Sequence, residues 1–123
     1  MVQSINSTVD LTMKATSHQG LETYGQIMVG NHGFEFYDDR NVQNYIQIPW
    51  TEVEYVIVSL LFGGKWIPRF ALQTKKNGLF TFSARDPKKI LRAIRNYIAP
   101  EKIVRSLSFG QVLKRTLKNI FSH

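Results

Sequence analysis

Leu79-Phe80-Thr81-Phe82-Ser83-Ala84-Arg85-Asp86-Pro87-Lys88-Lys89-Ile90-Leu91-Arg92-Ala93-Ile94 is the stretch on which the fold turns, because the chain changes from strand to helix inside it. Leu79 to Ala84 follow Lys75-Lys76-Asn77-Gly78, a hairpin signal in which Asn and Gly tolerate the backbone of a tight turn. Asp86 then offers a carboxylate to the first free helix amides, and Pro87 suits the first helical position. Ile90, Leu91, Ile94, Tyr97 and Ile98 form one apolar stripe, with Lys88, Lys89, Arg92 and Arg95 on the other side. Pro100 ends this helix.

Upstream of that switch the chain reads as strands. Val9, Leu11, Met13 and Ala15 alternate with Asp10, Thr12, Lys14 and Thr16, the period of a half-buried strand. Leu21 to Val29 form a second strand, and Gly30-Asn31-His32-Gly33 offer left-handed conformations for a tight turn into Phe34 to Tyr37. Tyr45 to Trp50, Glu52 to Phe62 and Trp66 to Thr74 follow, and Pro49 and Pro68 point to edges or bends. Gly25, Gly30, Gly33, Gly63, Gly64 and Gly78 are expected in or beside turns.

The expected fold class is therefore α+β, mainly β. Seven antiparallel strands would form a barrel or sandwich closed by a C-terminal helix, which hides apolar side chains that a strongly bent sheet leaves uncovered. This order resembles that of pleckstrin-homology-like modules. Residues 1–100 would make that domain, and 101–123 a basic amphipathic extension. In the extension, Phe109, Val112, Leu113, Leu117, Ile120 and Phe121 share one face of a second short helix spanning 108–122, with Lys114, Arg115 and Lys118 on the other. That apolar face could pack back on the domain or meet a membrane or partner groove.

Charge is unevenly spread along the 123 residues, whose net charge is +7. Residues 1–62 hold two basic and seven acidic groups, a balance of −5, and residues 63–123 hold fourteen basic and two acidic groups, a balance of +12. A basic face that attracts an anionic partner is one consequence, and halves that partly neutralise each other is the other. The 123 residues contain no cysteine, which excludes disulfides, thiolate metal ligation and a cysteine nucleophile within them. Met1 to Ser7 lack the basic-then-apolar pattern of a secretory signal, and the apolar run Val56–Phe62 is too short for a bilayer span. A soluble cytoplasmic protein is expected, able to sit at the inner face of the membrane.

Catalytic and metal motifs are missing from these residues. His18, His32 and His123 have no ligand spacing, and neither a phosphate loop nor a nucleophile elbow occurs. Asp38-Asp39 is more in keeping with a polar hairpin loop than with a cation site. The first hairpin, Lys14 through Tyr24, carries one lysine, one histidine and one glutamate, too few donors for a phosphoinositide headgroup. A non-enzymatic module is expected, with no cofactor, no metal and no small-molecule substrate.

Several segments resemble a bacterial family known as domain of unknown function 956. They are Tyr45-Ile46-Gln47-Ile48-Pro49-Trp50, Lys65-Trp66-Ile67-Pro68-Arg69-Phe70, Thr74-Lys75-Lys76-Asn77-Gly78, Asp86-Pro87-Lys88-Lys89 and Val104-Arg105-Ser106-Leu107-Ser108-Phe109. The resemblance implies a mannose operon regulator-like protein associated with mannose-family sugar phosphotransferase systems. It carries no assigned functional residues.

Two functions follow as expectations. The first is a regulatory adaptor of sugar transport that binds protein, such as the membrane subunits of a mannose-family phosphotransferase system, with an anionic membrane surface as a further contact. Its candidate partner- or anion-binding residues are Trp66, Lys88, Lys89, Arg92, Arg95, Lys114, Arg115 and Lys118. The second is a DNA-binding regulator of the sugar-uptake operon. Gln111, Arg115 and Asn119 recur every four residues, but the connection from Ile98 to Ser108 is longer than a helix-turn-helix allows. Oligomeric state has no signature here.

Overall fold

Among the residues described by the computed structural model, 3–41, 43–60 and 66–106, eight strands form one mixed sheet. They are β1 Val9–Ser17, β2 Thr23–Gly30, β3 Gly33–Asp38, β4 Tyr45–Pro49, β5 Val53–Ser59, β6 Phe70–Thr74, β7 Leu79–Ala84 and β8 Ile103–Ser106. One helix, α1, covers Pro87–Ile94. The spatial order is β4-β3-β2-β1-β7-β6-β5-β8, so two runs of neighbouring antiparallel strands join where β1 meets β7.

The sheet curls over its own core. β3 and β6 stand four places apart in the order, which in a flat sheet would separate them by about 19 Å at ~4.8 Å per strand. Yet the rings of Phe34 on β3 and Phe70 on β6 lie 6.3 Å apart, edge to face. Phe82 on β7 bridges them, 5.0 Å from Phe34 and 5.9 Å from Phe70. All three phenylalanines are fully buried with Ile27, Val29, Val53, Val56 and Leu72. Alternation along the strands sends these residues inward from both halves of the sheet, and a register shift between Val53 and Tyr55 lets Val53 and Val56 share the inner face of β5.

Three features depart from the sequence reading. The sheet has eight strands rather than seven and does not close into a barrel. It is mixed rather than antiparallel, because β8 runs parallel to β5, pairing Val56 with Ile103 and Val58 with Arg105. Ile103 to Ser106 were expected to be mere connection. Strand boundaries also move: β6 starts at Phe70, after Pro68, which has no amide to donate to a ladder. The expected helix over 108–122 lies outside the described residues.

α1 forms for the reasons its residues predict. The Asp86 side chain accepts a hydrogen bond from the Lys89 amide at 3.2 Å, and Pro87 occupies the first turn. Ile90, Leu91 and Ile94 are buried against the core. The helix ends at Ile94, one turn sooner than expected, but the Ile98 amide still donates to the Ile94 carbonyl at 3.0 Å. Ile98 therefore stays buried, and the stripe continues through the turn. No helix among the described residues is long and apolar enough to cross a membrane.

The N-terminal residues before β1 fasten the β2–β3 turn. The Asn6 carboxamide oxygen accepts from the amides of His32 and Gly33 at 2.7 and 2.8 Å, and Asn31 returns the arrangement by accepting from Ser7 and Thr8. Gly30 and Gly33 do not supply the left-handed turn expected of them; positive φ occurs at Gly20 and Gly78. Close approach explains them instead, since a Cβ on Gly30 would lie 2.4 Å from the Asn6 side chain.

Candidate functional site

The segment of strongest positive charge becomes a site because α1 and β8 lie on either side of one groove. Lys88, Leu91, Arg92 and Arg95 follow at offsets of three, four and seven, which puts them on one side of the helix. Ile103 and Arg105 are two apart on β8 and point to the same side of the strand. With Val58, Leu60 and Ile67 they line a groove of about 490 Å³. Among the described residues its lining is aliphatic apart from four cations, Lys88, Arg92, Arg95 and Arg105, and includes no acidic side chain.

All four cations are exposed, and among the described residues none of them has an ion-pair partner. Positive charge beside an apolar, poorly polarisable wall attracts anions more strongly than the same charge on open surface. The chemistry available is recognition of an anion that also carries apolar groups. Among the described residues its lining holds no carboxylate, histidine or hydroxyl side chain.

The structure brings together three of the expected site residues, Lys88, Arg92 and Arg95. Lys89 is exposed on α1 but does not line the groove. Trp66 is 53% exposed, as its place after a glycine pair suggested, and it too lies off the lining, although the adjacent Ile67 contributes to it. Lys114, Arg115 and Lys118 fall outside the described residues. Arg105 was missed. The adjacent β-branched pair Ile103-Val104 shortly after Pro100 was the signal that could have marked a strand there.

Other polar groups have structural duties. Asp38 accepts from the Arg40 amide at 2.8 Å and from the Asn44 carboxamide at 3.0 Å, which lowers its pKa and ties the β3–β4 loop. His18 contacts Ser83 Oγ through Nε2 at 2.9 Å and Glu22 through Nδ1 at 3.5 Å. Burial, then the charge of Arg69, lowers its pKa, and the neighbouring Glu22 only partly opposes this. Among the described residues no three acidic or histidine side chains gather as metal ligands. A second depression, lined by Lys14, Thr16, Tyr24, Asp39 and Arg85 among others, flanks the first hairpin. Its two cations share the space with a carboxylate.

Fold and groove together define a small, mainly β domain with a cation-rimmed apolar groove beside its single described α-helix. Residues 1–117 match the family described as Domain of unknown function (DUF956), and the chain belongs to that family. Among solved structures, the chain is similar to the C-terminal domain of an unknown protein from Leishmania infantum. The TM-score is 0.63 at 12% identity, over 73% of this chain and 83% of the other. That likeness shows a shared fold. No curated protein matches the sequence.

Proposed function

We propose that the protein is a non-enzymatic adaptor of a mannose-family sugar phosphotransferase system, working in the cytoplasm through contacts with the transporter's membrane subunits. The observation that carries a binding role is the groove: four exposed cations around an aliphatic floor form a surface suited to association with an anionic partner. The link to sugar transport rests on the family resemblance. The finer fold assignment belongs to the same proposal. A helix directly after the seventh strand, packed over a curled sheet, supports a pleckstrin-homology-like module with an eighth strand added at one edge.

Protein contact is favoured over operator reading by the composition of the groove. Base recognition draws on Asn, Gln or aromatic side chains as well as Arg, and none of these three lines the groove among the described residues. Co-purification from membranes with the transporter subunits tests the proposal. Enrichment well above that of an unrelated cytosolic protein of equal charge is the expected result. Recovery equal to that control overturns it, and retention of the operon promoter over scrambled DNA at physiological salt would replace it with the regulator reading.

A further inference from the structure

We propose that the groove between α1 and β8 receives an extended segment of a partner protein, with acidic side chains flanking an apolar one, laid alongside β8. This rests on the protein-contact reading above and names what the partner presents. Charge complementarity is the first ground. Lys88, Arg92 and Arg95 stand on the α1 side and Arg105 on the β8 side, and among the described residues no lining carboxylate satisfies them.

The second ground is their spacing. From Lys88 to Arg95 the helix advances about 10 Å at 1.5 Å per residue, so the charges are strung in a row rather than converging on one point. Every second residue of an extended chain advances about 6.6 Å, which places carboxylates two and four positions apart within reach of such a row. Val58, Leu60, Leu91 and Ile103 leave an aliphatic floor between the walls for the intervening apolar side chain.

The edge of the sheet is the third. β8 is the last strand in the order, paired with β5 on one side, and among the described residues no strand pairs with its other side. Such an edge accepts a further strand through backbone hydrogen bonds, with alternate side chains reading the surface beside it. Other occupants fit less well. Residues 107–123 carry Lys114, Arg115 and Lys118 and no acidic group, and a second copy brings a net charge of +7. A lipid would want its cations at one end of an acyl slot, whereas these flank the floor on both sides.

The probe is a fluorescein-labelled peptide with glutamate, leucine and glutamate at alternate positions and serine between them. Two controls replace glutamate by lysine or leucine by serine. Anisotropy with the full chain should show binding of the first peptide alone, weakening as salt rises. Arg92→Glu combined with Arg105→Glu should weaken it at least tenfold while the melting curve stays in place, because both side chains are exposed. Equal binding to the double variant overturns the inference. So does failure to bind the peptide while phosphatidylglycerol vesicles capture the protein through the same two arginines. Peptide binding without transporter co-purification would keep the groove and remove the transporter. Co-purification that survives the double charge reversal would do the opposite.

Discussion

The indole of Trp50 lies nearly parallel to the phenol ring of Tyr97, with ring centroids 5.4 Å apart and planes 10° from coincidence. Trp50 opens the turn between β4 and β5 and also donates from Nε1 to the Gly30 carbonyl at 2.9 Å. The Tyr97 hydroxyl donates to the Asp10 carboxylate. One stacked pair thus fastens the turn after α1 to the edge of the sheet.

Trp50→Ala removes the stack and strands the Gly30 carbonyl, and should cost about 2–3 kcal/mol. Urea unfolding followed by circular dichroism measures it. Tyr97→Phe keeps the stack and loses only the hydroxyl contact, so its unfolding midpoint should lie much closer to that of the wild type.

Glu35 is a fully buried carboxylate with no cation among its partners in the described residues. Burial opposes its ionisation, but hydrogen bonds from the Ser4, Tyr37 and Asn6 side chains and the Ile5 amide outweigh burial and hold its pKa below the usual value. Oε2 accepts from Ser4 at 2.6 Å and Asn6 at 2.8 Å, and Oε1 accepts from Ile5 at 3.0 Å and Gln47 at 3.1 Å. A depressed folded-state pKa gives stability that is present above the unfolded value, about 4.3, and lost as pH falls through the folded one. Urea midpoints should therefore drop steeply below pH ~4. Glu35→Gln should lower the midpoint at pH 7 and flatten that drop, because no proton can then be taken up at this site.

Asp86→Ala leaves the first amides of α1 without a side-chain acceptor and should cost about 1 kcal/mol, with Asp86→Ser recovering most of it. The same helix carries three of the groove cations. Fraying of its first turn should therefore weaken binding of the acidic peptide as well as stability.

Gly25→Ala should be among the most damaging single-methyl changes. The glycine sits inside β2 rather than at a turn, and a Cβ there would lie 2.0 Å from the Tyr37 carbonyl oxygen. The β2–β3 ladder would have to separate locally, at a cost of about 3 kcal/mol or more. Amide exchange across Gly25 to Asp38 would locate the damage.

The sequence revealed most where local chemistry and tertiary structure agree. Asn77-Gly78 makes the β6–β7 turn, with Gly78 at φ +83° and Thr74 donating to its carbonyl at 2.8 Å. Asp86-Pro87 starts the helix, and the apolar stripe faces the core. What stayed hidden depends on contacts between distant segments. Nothing near Glu35 in the chain announces that Ser4, Ile5 and Asn6 will supply donors, so a strand glutamate reads as solvent-facing when it is buried. β8 is only four residues long and finds its partner across a parallel pairing, which leaves no turn signal between them. The groove inherits that blindness. Its helical cations were visible as a row, but Arg105 joins them only through the parallel strand.

The junction of β1 with β7 is short, joining Ala15 to Ala84, Thr16 to Ser83 and Ser17 to Phe82. Every other antiparallel pair in the sheet joins strands consecutive in the chain. The two meanders on either side can thus assemble by local search, while the junction must bring together residues at opposite ends of most of the domain. Until it forms, β1 and β7 each expose an unpaired edge to other chains in the solution. The yield of correctly folded protein is therefore expected to depend on concentration during refolding, and these three residue pairs are where that dependence originates.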